Sequence, residues 1–207
     1  LVETLIKLCR YAEIGIVSGS DYDYIMQQCG FLTTKDNIKL KLHILPCNGT
    51  KHCAPPSYKT GTHKNRFKKD MRKEVGDADF TTIMKKLIDY QNHIVGHYIS
   101  YRESMINWCP IGRNALPHDR ERFSNFDKSF GVSSFRRTVL EQLKEEFENC
   151  KIPITIKLGG ETSFDIYPNG WNKTFALSHF PDHEIFFLGD RCGDNGNDKE
   201  IFDALQP

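Results

Sequence analysis

The feature that most limits how this chain can fold is a separation: two similar pieces lie near its ends, and a long stretch of another kind lies between them. Near the first end, Glu13-Ile14-Gly15-Ile16-Val17 is a short, mostly apolar run of the kind that forms a buried parallel strand. It breaks at Ser18-Gly19-Ser20-Asp21, and Tyr22 to Cys29 reads as a helix. Near the other end, Glu184-Ile185-Phe186-Phe187-Leu188 reads as a second such strand. It stops at Gly189-Asp190, passes through the polar turn Gly193 to Asp198 and starts a short helix at Lys199 to Phe202. The middle follows different periods. Phe80, Ile83, Met84, Leu87 and Ile88 fall on one face of a helix, with Asp79 as candidate N-cap. His97 to Arg102 and Met105 to Cys109, joined by Glu103-Ser104, form a hairpin pattern. Phe135, Val139, Leu140, Leu143 and Phe147 mark another helix, capped by Ser133 or Ser134. Ile154, Ile156 and Leu158 alternate along a strand that Gly159-Gly160 turns into Thr162 to Tyr167. The expected architecture is α/β, a parallel core divided in sequence by an inserted α+β domain with an antiparallel sheet. Its expected bounds are residues 1–50 and 170–207 for the core and 51–169 for the insert.

Composition narrows the class. A chain of 207 residues with 39% hydrophobic content can bury a real core and is not wholly disordered. A formal net charge of +1 gives no general attraction to nucleic acid or to an anionic membrane, and no run of eighteen apolar residues offers a spanning helix. Neither kind of partner is expected. The basic stretch from Lys59 to Lys73 reads as a solvated surface segment rather than a nucleic-acid patch. Seven irregularly spaced cysteines without a C-x-x-C pair suit reduced thiols and a cytoplasmic protein. Cys47, His52 and Cys53 lie close together, but a zinc site takes four ligands and no second half is found. Asn48 and Asn172 begin N-x-[ST] triplets, which matter only in a secreted chain.

Four places carry chemistry. Ser18-Gly19-Ser20-Asp21 offers hydroxyls and backbone N–H groups at a helix N-terminus, which suits an anion and equally suits an ordinary cap. Asp190, with Asp194 and Asp198 close behind, lies beyond an expected strand end. Such oxygen ligands suit Mg²⁺, although a solvated acidic turn has the same composition. In Ser163-Phe164-Asp165-Ile166-Tyr167 the period of two puts Ser163 and Asp165 on one face, able to hydrogen-bond the hydroxyls of a sugar, and Phe164 and Ile166 on the other. Arg102, Arg113, Arg120 and Arg122 cluster nearby. Guanidinium forks match phosphate oxygens, while ion pairs with Glu103, Asp119 and Glu121 are the structural alternative.

Taken together, Ser18-Gly19-Ser20-Asp21, Pro110-Ile111-Gly112-Arg113, Gly159-Gly160 with Ser163-Phe164-Asp165, Gly170-Trp171-Asn172-Lys173 and Gly189-Asp190 with Gly196-Asn197-Asp198 resemble, in order and spacing, the eukaryotic-type phosphomannomutases of the haloacid dehalogenase superfamily. The resemblance covers nearly the whole chain and is weakest between about Phe31 and Gln91. It implies an α/β fold, a Rossmann-like haloacid dehalogenase core with an inserted α+β cap of antiparallel sheet and helices. Ser18 would hydrogen-bond the transferring phosphoryl group and Lys173 would steady it. Asp190 would bind Mg²⁺, with Asp198 as its outer partner. Arg102, Arg113 and Arg120 would hold the substrate's other phosphate, and Ser163 and Asp165 would meet the sugar. The implied reaction interconverts mannose 6-phosphate and mannose 1-phosphate, toward GDP-mannose, through an aspartyl-phosphate and a hexose bisphosphate activator. A cytoplasmic homodimer, formed through the cap, is implied as well. Two other functions stay open: a sugar phosphatase of the same superfamily and an inactive phospho-sugar-binding relative.

The sequence departs from the family pattern chiefly in one respect. The Asp-x-Asp-Gly-Thr segment that carries the nucleophile and the general acid/base is not in these residues, and without a nucleophile no aspartyl-phosphate forms. The expectation is that this segment precedes Leu1 in a longer natural protein, with a closing segment after Pro207. Asn172 also stands where many family members have Asp.

Overall fold

The structure, a computed structural model, describes residues 1–34, 36–56, 62–91, 97–131, 134–193 and 196–206. It divides into two compact units, Leu1–Lys69 with Trp171–Pro207, and Asp70–Gly170.

The first unit is built on a four-stranded sheet of order β1-β2-β3-β4. β1 (Ile14–Val17) and β2 (Leu42–Leu45) pair in parallel, Ile14 opposite Leu42 and Val17 opposite Leu45. β3 (Lys51–Ala54) and β4 (Lys64–Lys68) continue the sheet antiparallel. Alternation sends Ile14, Ile16, Leu42 and Ile44 to one face, where they pack with Cys9, Ile25, Leu32 and Ile38. These come from α1 (Val2–Leu8), α2 (Tyr22–Cys29), α3 (Asp36–Lys39) and the turns that join them. Full burial of each such aliphatic side chain contributes about 1.5–3 kcal/mol. β4 is exposed along its length and carries Lys64, Arg66 and Lys68. Charges of this kind keep an edge strand from recruiting another chain. The basic stretch is therefore partly a strand; its first residue, Lys59, lies outside the described residues.

Two expectations are corrected. The core does not give way to the insert after Thr50 but after Lys69, because β3 and β4 complete the ladder begun by β2. The return crossing falls between Gly170 and Trp171. Residues 184–188 are not a strand: no described strand pairs with them, and Phe186 and Leu188 are 86% and 96% exposed. The segment has the composition of a buried strand and no ladder to enter.

The second unit holds an antiparallel sheet of order β5-β6-β8-β7. The expected hairpins are both present: β5 (Ile99–Tyr101) with β6 (Ile106–Trp108), and β7 (Ile154–Gly159) with β8 (Ser163–Pro168). β6 and β8 join them, with Asn107 opposite Asp165 and Trp108 opposite Phe164, whose rings stack 4.9 Å apart. Four helices accompany the sheet: α4 (Met71–Val75), α5 (Asp77–Gln91), α6 (Pro117–Ser129) and α7 (Phe135–Asn149), the last packed on β7. Ile83 and Leu87 of α5 and Val139, Leu143 and Phe147 of α7 are buried, as their spacing requires. Ser134 caps α7 by accepting from the Arg137 N–H, and Ser133 lies outside the described residues. Asp79 is not a cap. Gly76, in a left-handed conformation (φ 87°), ends α4 and accepts from the Phe80 N–H, so α5 starts at Asp77 and Asp79 sits in its first turn. A buried ion pair, Arg136 to Asp127 at 2.7 Å, ties α7 to α6.

Candidate active site

In the first unit, β1 delivers Ser18 to its carboxyl end, and Asp21 caps α2 by accepting from the Tyr24 N–H at 2.8 Å. Ser18 Oγ accepts from the Ser20 N–H (3.1 Å), which bends the chain there. A second segment is laced against this turn. The N–H of Asn48 donates to the Ser18 carbonyl (2.8 Å) and that of Cys47 to the Ser20 carbonyl (2.9 Å). Cys47, Asn48 and Gly49 have φ of 51°, 61° and 84° in succession. Left-handed non-glycine residues cost about 1–3 kcal/mol each and persist where surroundings fix them. The surroundings are the Trp171–His179 segment: Asn48 Nδ2 donates to the Trp171 carbonyl (3.3 Å), and His179 Nε2 bonds the Gly49 carbonyl (2.7 Å). Asn48 therefore links the strand end that carries Ser18 to the segment that carries Lys173. The sequence reading treated Asn48 only as the start of a triplet; its Asn-Gly pair, a left-handed turn signal, could have found it.

Lys173 is buried, and its ammonium donates to Asp198 Oδ1. Asp198, also buried, accepts from the Arg191 N–H with its other oxygen (3.3 Å). Lys173 and Asp198 are thus brought together, with Ser18 connected to them through Asn48. Asp190 is not: it is exposed and follows no strand. Asp194 lies outside the described residues. Among the described residues, no three or more His, Cys, Asp or Glu side chains are grouped to hold a metal ion. With Asp198 engaged by an ammonium and Asp190 on the surface, these carboxylates alone do not make the oxygen cage that Mg²⁺ requires.

Beneath the 46–50 turn lie three imidazoles. Glu13 accepts from His43 Nε2 (3.1 Å), and His43 Nδ1 shares a 2.8 Å hydrogen bond with His52 Nε2. The His52 ring lies 4.7 Å from that of His179. Burial lowers the pKa of His43 and, together with the charges of His179, His43 and Arg66, brings that of His52 down to about 4.

In the second unit the alternation expected along β8 is observed: Phe164 and Ile166 are buried, while Ser163 and Asp165 are half-buried on the opposite face. On that face stands a residue the sequence reading missed. Asn107, 3% exposed, donates through Nδ2 to Asp165 Oδ1 (2.7 Å) and Ser163 Oγ (3.1 Å), and its Oδ1 accepts from Arg113 Nη1. The signal was available in the same period of two, since Ile106 and Trp108 flank Asn107 on β6. Arg120 plays a different part from the one expected of it. Its guanidinium donates to the carbonyls of Arg113 (2.6 Å), Gly112 (3.4 Å) and Ala115 (3.1 Å) and to Thr162 Oγ1 (3.1 Å). Three of these hydrogen bonds go to the turn that carries Arg113 and one to Thr162, and none goes to Asp119 or Glu121. Arg102 ends the β5 hairpin arm, buried, its N–H donating to the Met105 carbonyl (2.8 Å).

Solved structures with the same fold include IMP-nucleotidase of Plasmodium falciparum (TM-score 0.60, 14% identity, 97% of this chain and 56% of that one). Another is sucrose-phosphatase of Synechocystis (TM-score 0.53, 16% identity, 97% and 70%). The chain thus spans just over half the length of the nucleotidase. The class these likenesses define is an α/β fold of the haloacid dehalogenase type, in which the second unit is inserted in sequence within the first. Within that class the chain belongs to the eukaryotic phosphomannomutase family, whose pattern matches residues 1–206. It is 31% identical to phosphomannomutase of Arabidopsis thaliana, over 99% of this chain and 79% of that protein. It is 32% identical to phosphomannomutase 2 of Dictyostelium discoideum, over 96% and 77%.

Proposed function

We propose that the protein interconverts mannose 6-phosphate and mannose 1-phosphate by phosphoryl transfer through an aspartyl-phosphate and a hexose bisphosphate, supplying mannose 1-phosphate for GDP-mannose. The observation that carries this reading is the cluster of Arg113, Asn107, Ser163 and Asp165. It combines a fixed positive fork with a hydroxyl and a carboxylate on one sheet face, the chemistry of a sugar phosphate rather than of either half alone. A mutase, unlike a phosphatase, must hold a second phosphate, and Arg113 is assigned to it. Arg120 keeps the Arg113 turn in place, and Arg102 adds positive charge to the same hairpin. Ser163 and Asp165 bond the sugar hydroxyls. Ser18 donates its hydroxyl to the transferring phosphoryl group, and the Lys173 ammonium, steadied by Asp198, balances its charge. The nucleophilic carboxylate of this reaction is carried in the family by an Asp-x-Asp-Gly-Thr segment, which is not among these residues.

Mg²⁺ is the proposed cofactor, and Asp190 and Asp198 would contribute to its site only together with further oxygen ligands. A bisphosphate activator, a homodimer formed through the second unit and a cytoplasmic setting complete the proposal. None of the described helices is long and apolar enough to cross a membrane. Assay of the full-length protein with mannose 1-phosphate, Mg²⁺ and a hexose bisphosphate tests the reading. Formation of mannose 6-phosphate is expected; release of inorganic phosphate alone, or binding without turnover, overturns it.

A further inference from the structure

We infer that Asn107 is a positioning residue for the substrate: its carboxamide holds the Arg113 guanidinium and the Asp165 carboxylate in one frame, so that the phosphate and the hydroxyls of a hexose phosphate are met together. The inference rests on the function proposed above. A carboxamide has an accepting end and a donating end, and both ends of Asn107 are used, toward side chains of opposite charge. Its Oδ1 accepts a hydrogen bond from Arg113 Nη1, while its Nδ2 donates to Asp165 at 2.7 Å and Ser163 at 3.1 Å. The side chain has little freedom to do otherwise. Asn107 is 3% exposed and sits directly opposite Asp165 in the β6–β8 ladder, and Ile106 and Trp108 are buried on either side of it in sequence. The stacked pair Trp108 and Phe164 sets that register one position on. From behind, Arg120 fixes the backbone of Arg113 through its carbonyl at 2.6 Å, so the guanidinium is held at both its root and its tip. An apolar side chain of similar volume would fill the space and leave both charged groups without this bridge. Aspartate in its place would keep an acceptor for Arg113 but set a second carboxylate against Asp165.

A double-mutant cycle tests the role. The dissociation constant for mannose 1-phosphate is measured by calorimetry on the full chain, for the unaltered protein, Asn107→Ala, Arg113→Ala and the double variant. Because Asn107 acts through Arg113, each single change is expected to weaken binding about tenfold or more, and the double variant is expected to bind no worse than the weaker single, within about threefold. Multiplying penalties, or an Asn107→Ala protein that binds within about twofold of the unaltered chain, overturns the role. A readout independent of folding yield accompanies the cycle. In turnover, Asn107→Ala is expected to raise KM about tenfold and leave kcat within about twofold, whereas a loss of folded enzyme lowers kcat and leaves KM. Should Asn107→Ala fail to fold, Asn107→Ser enters the same cycle with the same expectations. Failure of the unaltered chain to bind any hexose phosphate overturns the proposed function and this role with it. Binding that is indifferent to Asn107 overturns the role alone.

Discussion

The ammonium of Lys173 and the carboxylate of Asp198, twenty-five positions apart in sequence, meet as an ion pair with their side chains only 10% and 7% exposed. A buried charge is tolerable because its partner is beside it, and removing one partner strands the other. Asp198→Ala is expected to destabilise the protein by about 3–5 kcal/mol, measured by urea unfolding. Replacing both residues, as Lys173→Met with Asp198→Leu, is expected to cost less stability than Asp198→Ala while abolishing turnover. A small loss in Asp198→Ala would mean that water reaches the ammonium.

Gly49 has the second strict requirement. With φ of 84°, it leaves no room for a side chain, since a Cβ there would lie 2.6 Å from the Ala176 Cα. Gly49→Ala is therefore expected to cost more than the ~1–3 kcal/mol of an ordinary left-handed residue, and to lower turnover by shifting the segment that carries Lys173. Thermal melting and kcat of the purified variant check the two effects separately.

Acid should weaken the first unit through His52. Unfolded, its imidazole takes a proton near pH 6.5; folded, only near about 4. Between those values the unfolded chain binds more protons, so stability falls as the pH is lowered from about 6.5 to about 4 and does not change through this group above 6.5. The slope is at most about 1.4 kcal/mol per pH unit and is reduced by the partial exposure of the ring. His52→Gln keeps a donor for His43 and removes the titration. Its urea midpoint should be flatter across this window, and an unchanged slope would assign the effect to other groups.

Arg113 and Arg120 are expected to fail differently. Arg113→Ala should raise the KM for mannose 1-phosphate by the ~1.5–3 kcal/mol of a lost charge-assisted bond, with the melting temperature nearly unchanged. Arg120→Ala should lower both affinity and melting temperature, because four hydrogen bonds to the 112–115 turn and Thr162 go with it. Equal melting temperatures in the two variants would contradict the supporting role of Arg120.

What could be read in advance followed local periodicity. The hairpins around Glu103-Ser104 and Gly159-Gly160, the shared face of Ser163 and Asp165 and the cap at Ser134 all depend on neighbours a few residues away. What was not legible depended on distant partners. Whether Lys51 to Lys68 joined the core or the insert turned on the antiparallel pairing of β3 with β2, which no alternation along the chain announces. Glu184 to Leu188 had a strand's composition, but a strand exists only where a ladder receives it. Arg120 had the chemistry of a phosphate ligand and was claimed by nearby carbonyls, whereas the alternation of Ile106, Asn107 and Trp108 marked the face of Asn107 but not the Arg113 and Asp165 that stand at its two ends.

The division of the first unit between Leu1–Lys69 and Trp171–Pro207 has a consequence in time. A ribosome that has finished Lys69 makes roughly 100 further residues before Trp171, on the order of 5–20 s at typical rates of synthesis. Throughout that interval the left-handed turn at Cys47, Asn48 and Gly49 has neither Trp171 nor His179 to hold it, while the stretch from Asp70 to Gly170 is being completed. The second unit can therefore be finished during translation while the turn at Cys47, Asn48 and Gly49 still waits for its partners.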